Sequence, residues 1–573
     1  MAGVAQAEAP DLDSLLASLE VPEEVGFDLA HWQRELNAAM APAPDARLGG
    51  LTSVGGAGAA SAGREGPLVV PETYGDGSRA ENDRRVLETL ASGAVLTPRP
   101  EGGRVSVGGP DARRFLTEQT TTNVSSLPPG RGTTFVVTDA RGRALCGGLV
   151  LVLPSSCLLL TDARDEADRL TSLLDSRIFR GDAVSVRDVS ADTVAMCLCG
   201  PEAAPVLAEL GVADDFLTEG PPRYPDGSHV LLGLPPSPGA AANAPPSAPV
   251  VVARGLAGSG GPGMGLAPLP GFVLIVGEEG CAELFRLLML KGCVPGGSRA
   301  LGWARGLLGS PGADEFRPPA GKDSGAEGDD AYDASSSDDA PSDCASAGPA
   351  PARAWQAAAG APTPLELGLG GAVDVNKGCA TGQETLTRQA GVGWPPRRML
   401  AGVRLARGET CARGDEVRTT ETEGAPGRLL GRVSSVVPEG PAGWGAGLQA
   451  AAAAAEGACP AAGARHRSRG DGALALALVR ARDPATGLVW AGLAGGGRVV
   501  VVGADGRASP ATMEWPLPAT RATLAAGAWG DVRREPAAGA IDAAAEATRK
   551  ASKLAEMEAR LAAFQMTKQQ GEN

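Results

Sequence analysis

The stretch VDVNKGCATGQETLTR, Val373 to Arg388, sets an ammonium at Lys377 beside a thiol at Cys379 and places Gly378 and Gly382 just before Gln383 and Glu384. The alternating Val373 and Val375 read as a strand-like entry, and Gln383-Glu384 reads as the opening of a helix. Glycines at 378 and 382 permit a tight turn and close approach of the backbone to a ligand. A neighbouring ammonium and a following helix N-terminus both favour a thiolate at Cys379. The chemistry indicated is that of a reactive thiol beside a bound molecule. The same residues also fit a solvated Lys377–Glu384 pair around a buried, inert cysteine, which is the commoner fate of a free thiol.

Other chemistries find little support. The three histidines, His31, His229 and His466, are far apart in sequence, which leaves a Ser/His/Asp triad or a histidine-rich metal site without material. The ten cysteines include no CxxC spacing, so no zinc or dithiol redox site is expected, and free thiols fit a reducing compartment. Cys197 and Cys199 alternate with Leu198 on a predicted strand and share a face; two ligands are too few for a soft metal, so core packing is the reading. A formal charge of −15 with no dense basic run argues against a nucleic-acid surface. The longest apolar runs, such as LCGGLVLVL from Leu145 to Leu153, have the length of core strands, so no membrane insertion is expected. The first thirty residues are acidic, and no transit peptide is legible in them.

The elements that must position the Lys377 loop are legible as modules of alternating strands and helices. With 81 glycines, 46 prolines and only 3% aromatic residues among 573, part of the chain lacks the apolar surface needed to offset ordering entropy. Residues 1–75 read as a mobile arm with one amphipathic helix, Leu12, Leu15, Leu16 and Leu19, before a Gly/Ala/Ser stretch. Residues 76–316 read as an α+β region. Its strands RVSV, TTFVVT, GLVLVL, CLLLTD, AVSVRDV, TVAMCLC and GFVLIV are interleaved with helices such as Asp165–Phe179 and CAELFRLLMLKG. A Pro/Gly/Ser-rich interruption is expected at about 221–268, and an acidic, Ser-rich disordered insertion at 317–357. Residues 358–396 hold the loop segment. Residues 397–530 read as a small all-β module with an Ala/Gly insertion at about 438–470, and 541–569 as a helix with Leu554, Met557, Leu561 and Phe564 on one face.

The octapeptide Lys377-Gly378-Cys379-Ala380-Thr381-Gly382-Gln383-Glu384 resembles the K-G-C-[aromatic]-x-G-Q-E signature of the folate-binding YgfZ/GcvT-like family. RVSVGGPDARRFLTEQTTTNVSSLPPG from Arg104, GFVLIV from Gly271, ARGLLGSPGADEF from Ala304, PLELGL from Pro364 and RRMLAGVRL from Arg397 are similar to that family in order and spacing. The resemblance implies two α+β modules and a C-terminal β-barrel around a central channel that takes tetrahydrofolate or a derivative. It implies Lys377 and Cys379 as the functional pair, with Gly378, Gly382, Gln383, Glu384 and Arg388 supporting the cofactor-binding loop. It matches Arg305 to an arginine that faces folate in related aminomethyltransferases, a group suited to bidentate carboxylate pairing, although a salt bridge within the protein is the other reading.

The same resemblance implies a factor in iron–sulfur cluster assembly or maintenance, not a conventional enzyme. Its partners would be cluster-carrier or client proteins, and its compartment a plastid, with the mitochondrion as the alternative. A monomer is the default. Three departures from the family pattern bear on activity. Ala144-Leu145-Cys146-Gly147-Gly148 stands where the aminomethyltransferase branch carries paired aspartates, removing a carboxylate that would polarise the amine. Gly271-Phe272-Val273-Leu274-Ile275 is apolar where that branch uses an acidic residue against the pterin, and Ala380 replaces an aromatic ring. A folate-dependent one-carbon (aminomethyl) transferase and a non-catalytic interaction scaffold therefore stand as the alternatives to the assembly factor.

Overall fold

The computed structural model describes residue 74 and residues 78–99, 101–219, 223–234, 249–255, 271–308, 310–317, 361–391, 398–420, 426–437, 473–480 and 498–514. The arm predicted before Tyr74, the acidic stretch 318–357, the insertion at 438–470 and the helix at 541–569 lie outside the described residues.

The chain begins with helix α1 (Arg79–Ser92), whose Ser78 and Glu81 form a reciprocal capping box. Then come β1 (Val95–Pro98), β2 (Gly103–Gly108), α2 (Ala112–Gln119), β3 (Arg131–Thr138), β4 (Ala144–Val152), β5 (Ser156–Thr161), α3 (Arg164–Asp175), β6 (Ser185–Asp188) and β7 (Thr193–Cys199). They are followed by α4 (Ala203–Glu209), α5 (Asp214–Thr218), β8 (His229–Gly233), β9 (Pro249–Arg254), β10 (Gly271–Gly277), α6 (Glu278–Leu290), β11 (Val294–Pro295), α7 (Ser298–Leu308) and α8 (Ala313–Phe316). Helix α9 (Gln383–Gly391) precedes β12 (Arg398–Leu405), β13 (Glu416–Thr420), β14 (Pro426–Val437), β15 (Leu474–Arg480), β16 (Arg498–Val502) and β17 (Ala508–Glu514).

Among the described residues these strands form a five-stranded sheet, β3-β4-β5-β2-β6, a six-stranded sheet, β11-β1-β7-β10-β9-β8, and a closed barrel, β12-β15-β14-β13-β16-β17. The two α+β sheets and the C-terminal barrel expected from the sequence are thus present. Strands β8 and β9 correct the interruption expected over 221–268. HVLLG and PVVVAR are brief runs set among Pro and Gly, but β9 pairs with β10 along its length and buries Val250, Val251 and Val252.

Side-chain alternation along the strands explains how the two sheets share a core. Leu149 and Leu151 on one face of β4, with Leu153 just beyond its end, meet Ala195, Cys197, Cys199, Val273 and Ile275 of the other sheet, with α1 and α7 closing the layer through Leu87, Leu90 and Trp303. The opposite face, Val150 and Val152, packs under α2 and α3 with Phe115, Leu116, Leu170 and Leu174. The outer face of the second sheet is covered by α4, α5 and α6 through Val206, Phe216, Leu284 and Phe285. Each buried Leu or Phe contributes roughly 1.5–3 kcal/mol relative to exposure. Cys197 and Cys199 do share a face, and they spend it in this inter-sheet core. The barrel interior is narrow and filled by Ala401, Val403, Ala475, Ala477, Val433 and Met513.

Candidate functional site

The Lys377 loop is docked on the first module by hydrogen bonds to segments far from it in sequence. Thr121 Oγ1 donates to the Ala372 carbonyl at 2.6 Å, Asp374 N–H donates to the Thr121 carbonyl at 2.9 Å, and Thr138 Oγ1 donates to the Thr381 carbonyl at 2.6 Å. Inside the loop, Asp374 Oδ1 accepts from the backbone N–H of Asn376 (2.9 Å) and Lys377 (3.2 Å), a turn that Asp forms readily. Gln383 closes it: Oε1 accepts from Ala380 N–H at 2.8 Å, and Nε2 donates to the carbonyls of Lys377 (3.1 Å) and Val375 (3.2 Å). One carboxamide thereby holds both flanks of Cys379.

The two signature glycines do different work. Gly382 adopts φ +77°, and a Cβ there would lie 2.4 Å from the Asp139 carbonyl oxygen and 2.7 Å from Gly142 Cα. Gly142, in the β3–β4 turn, is itself left-handed at φ +72°, so two bare glycine backbones make the contact between loop and hairpin. Gly378 is outside the left-handed set, and a Cβ on it meets nothing within 4 Å. The tight approach expected of both glycines belongs to Gly382 alone.

Cys379 is exposed, which replaces the reading of a buried, inert cysteine. Among the described cysteines, Cys146, Cys157, Cys197, Cys199, Cys281 and Cys293 are buried and Cys411 is intermediate. Lys377, by contrast, is only 8% exposed, and its Nζ donates to the Thr117 carbonyl in the last turn of α2. Burial pulls its pKa down, while Asp374, Glu118 and Cys379 act in the opposite direction and favour the ammonium. Glu384 pairs with Arg388 at 2.8 Å rather than with Lys377, and both side chains are well exposed, a pair worth at most about 0.5 kcal/mol.

Beside the loop lies an open cleft of about 370 Å³, bounded by Thr122, Asn123, Ser126 and Thr133 on the first module and by Val373 to Asn376. Its lining is mostly polar, with Leu127, Val373 and Val375 as the larger apolar members. Thr117, Thr121, Thr138 and Asn123 escaped the sequence reading as site residues. The threonine run TTTN after the predicted helix was the available signal, since several hydroxyls at a helix exit need partners.

Arg305 sits elsewhere. It pairs with Asp162 at 3.3 Å and Glu315 at 3.8 Å, and its guanidinium rests on Gly312, where a Cβ would lie 1.2 Å from Nη2. The carboxylate pairing foreseen for this arginine is made within the protein. The glycines at 147 and 148 are also explained: a Cβ at Gly147 would lie 2.6 Å from Phe316 Cζ, and one at Gly148 would lie 1.8 Å from the Leu160 carbonyl oxygen. Gly148 is closed to any side chain by backbone, whereas at Gly147 the Phe316 ring would have to move, and burial pushes the Cys146 thiol beside them well above its ordinary pKa.

Residues 60–223 match the family model of the GCVT N-terminal domain. A chloroplastic "putative transferase" of Arabidopsis thaliana is 24% identical over 310 residues, covering 54% of this chain and 56% of the relative. A "probable aminomethyltransferase" of Natronomonas pharaonis is 35% identical over 116 residues, 19% of this chain and 31% of that protein. The chain thus spans about half of one curated relative and about a third of the other. Among solved structures, the glycine cleavage system aminomethyltransferase T from Bartonella henselae aligns with 17% identity and a TM-score of 0.48, over 79% of this chain and 91% of that one.

Proposed function

We propose that this protein is a tetrahydrofolate-binding accessory factor in iron–sulfur cluster assembly or maintenance, acting through Cys379 and Lys377. The observation that carries the reading is the presentation of Cys379: an exposed thiol on a loop locked by Gln383, two residues after a buried lysine, in a segment whose preceding residues Val373 to Asn376 line a polar cleft. A loop held by three side-chain hydrogen bonds keeps its thiol in place while leaving it open to a macromolecular partner. The lining of the cleft supports this reading: Asn123, Ser126, Thr133 and Asp374 supply hydrogen-bonding groups and Leu127 and Val373 apolar ones, a mixture a reduced pterin could use. When bound, tetrahydrofolate supplies a reducing ring able to carry one-carbon units.

The GCVT N-terminal domain supports a folate-related role, and the chloroplastic relative supports a plastid as the compartment. Cluster-carrier or client proteins are the proposed partners, met by a monomer. The name of one curated relative, a "probable aminomethyltransferase", favours a second reading, one-carbon transfer, against which the stretch Ala144 to Gly148 speaks because it carries no carboxylate. Calorimetric titration with tetrahydrofolate tests the proposal. Saturable binding weakened by Asn123→Leu and kept by Cys379→Ala supports it; no binding by the wild type removes the folate role. Tetrahydrofolate-dependent release of ammonia from an aminomethylated carrier protein would establish the transferase instead.

A further inference from the structure

The connection from α7 to α8 is tied by polar contacts to the module on either side of it. Toward the barrel, the hydroxyls of Ser434 and Ser435 donate to Glu315 Oε1, and Arg413 meets Asp314 at 3.0 Å and donates to the Arg317 carbonyl. Toward the first module, Arg305 meets Asp162, and Arg317 meets Asp165 at 2.8 Å and Glu166 at 3.3 Å. Gly306 is pressed against Val437 of β14, where a Cβ would lie 2.3 Å from Val437 Cγ2. This short connection therefore fastens the barrel to the first module.

One of its anchors is chemically incomplete. Glu166, in the first turn of α3, is 0% exposed, and neither of its carboxyl oxygens has a hydrogen-bond partner. On the facing connection, Arg317 Nε and Nη2 and Arg305 Nε are also buried without a hydrogen-bond acceptor. A buried carboxylate that faces a guanidinium at 3.3 Å without a hydrogen bond to it is disfavoured relative to the neutral acid. The charged groups around Glu166 do not rescue the ion. Asp162 and its helix neighbour Asp165 repel it, Arg317 and Arg169 attract it, and the Cys146 thiol of β4 is held neutral. Arg317 is already shared with Asp165. Burial dominates, and the Glu166 carboxyl is pushed up to about 8.

We propose that Glu166 is a protonation-controlled latch: as the neutral acid it lets the α7–α8 connection seat between the first module and the barrel, and loss of its proton to solvent loosens that seat. The carboxylate formed needs water or a full partner, and the connection must shift to admit either. The group is protonated in the fold at pH values where it is ionised in the unfolded chain, so the seat is secure at low pH and weakens as pH rises through the folded pKa.

Hydrogen–deuterium exchange on the full chain from about pH 6 to about pH 9.5 tests this, after correction for intrinsic base catalysis. Peptides covering residues 305–317 and the start of α3 are expected to lose protection by at least about tenfold between about pH 6 and pH 8 in the wild type and to level off above that. Glu166→Gln, which keeps the shape and stays neutral, is expected to retain protection throughout. Equal pH dependence in the two proteins overturns the latch. Infrared difference spectroscopy of the wild type needs no variant: a protonated-carboxyl band that titrates near pH 8 and is absent from a Glu166→Gln or Glu166→Leu chain supports the proposal, and ionisation complete by about pH 6 overturns it.

Discussion

Replacing Gly382 by Ala should destabilise the protein far more than the same change at Gly378. At Gly382 the new methyl group must accept φ +77°, which costs an L-residue roughly 1–2 kcal/mol. It must also enter a space where the Asp139 carbonyl oxygen is 2.4 Å away and Gly142 Cα 2.7 Å away, both backbone atoms that no rotamer change can move. Overpacking of that kind adds roughly 1–3 kcal/mol. The sum, about 2–5 kcal/mol, corresponds to a fall in the folding equilibrium constant of roughly thirty- to several-thousandfold. Gly378→Ala meets open space at an ordinary φ and should stay within about 0.5 kcal/mol of the wild type. Urea unfolding gives both numbers, and iodoacetamide labelling of Cys379 in the native protein reports on the loop itself. Displacement of the loop from the hairpin should change the Gly382→Ala labelling rate and leave Gly378→Ala unchanged. Equal stabilities for the two variants would refute the assignment of the glycine contact.

Gln383→Ala removes three hydrogen bonds around Cys379 and should cost about 1–3 kcal/mol, with Cys379 labelling altered and the lysine and barrel contacts intact; unfolding and labelling at wild-type values would show that the clamp is dispensable. Arg305→Ala removes the cation shared by Asp162 and Glu315, but Asp162 keeps Arg99 and Glu315 keeps Ser434, Ser435 and the Gly312 N–H, so it should destabilise by about 1–3 kcal/mol while leaving tetrahydrofolate affinity unchanged; lost affinity at wild-type stability would return this arginine to the ligand. Between about pH 5 and pH 8 the wild type should lose stability as pH rises, because Glu166 titrates near 4.5 when unfolded and near 8 when folded. The change is on the order of 4 kcal/mol and should vanish in Glu166→Gln, as read by urea unfolding at the two pH values.

The modules were legible because β4, β7 and β10 carry long branched apolar runs, whose alternation fits a sheet buried on both faces. Strands β8 and β9 were hidden by their brevity and by the Pro and Gly around them, and it is pairing with β10 that makes them strands. The KGCATGQE segment announced itself by composition, and Gln383, Lys377 and Cys379 do share one loop. Composition could not say which glycine is packed, since that depends on Gly142 of a distant hairpin. Nor could it place Cys379 at the surface and Lys377 beneath it, which the docking of the loop on Thr117, Thr121 and Thr138 decides. Arg305 was conspicuous by resemblance, but its carboxylates, Asp162 and Glu315, come from two other segments that only the folded chain brings together. The absence of acid at Gly147 and Gly148 was visible; Phe316 and the Leu160 carbonyl, which crowd those positions, were not.

Under the proposed function, an exposed, clamped Cys379 serves iron–sulfur proteins. Activity of a cluster-dependent enzyme should be measured in cells lacking this protein and supplied with wild type, Cys379→Ala or Gly378→Ala at matched abundance. The account predicts restoration by wild type and Gly378→Ala and little or none by Cys379→Ala. Full restoration by Cys379→Ala would contradict it and leave the fold as a scaffold whose thiol is incidental.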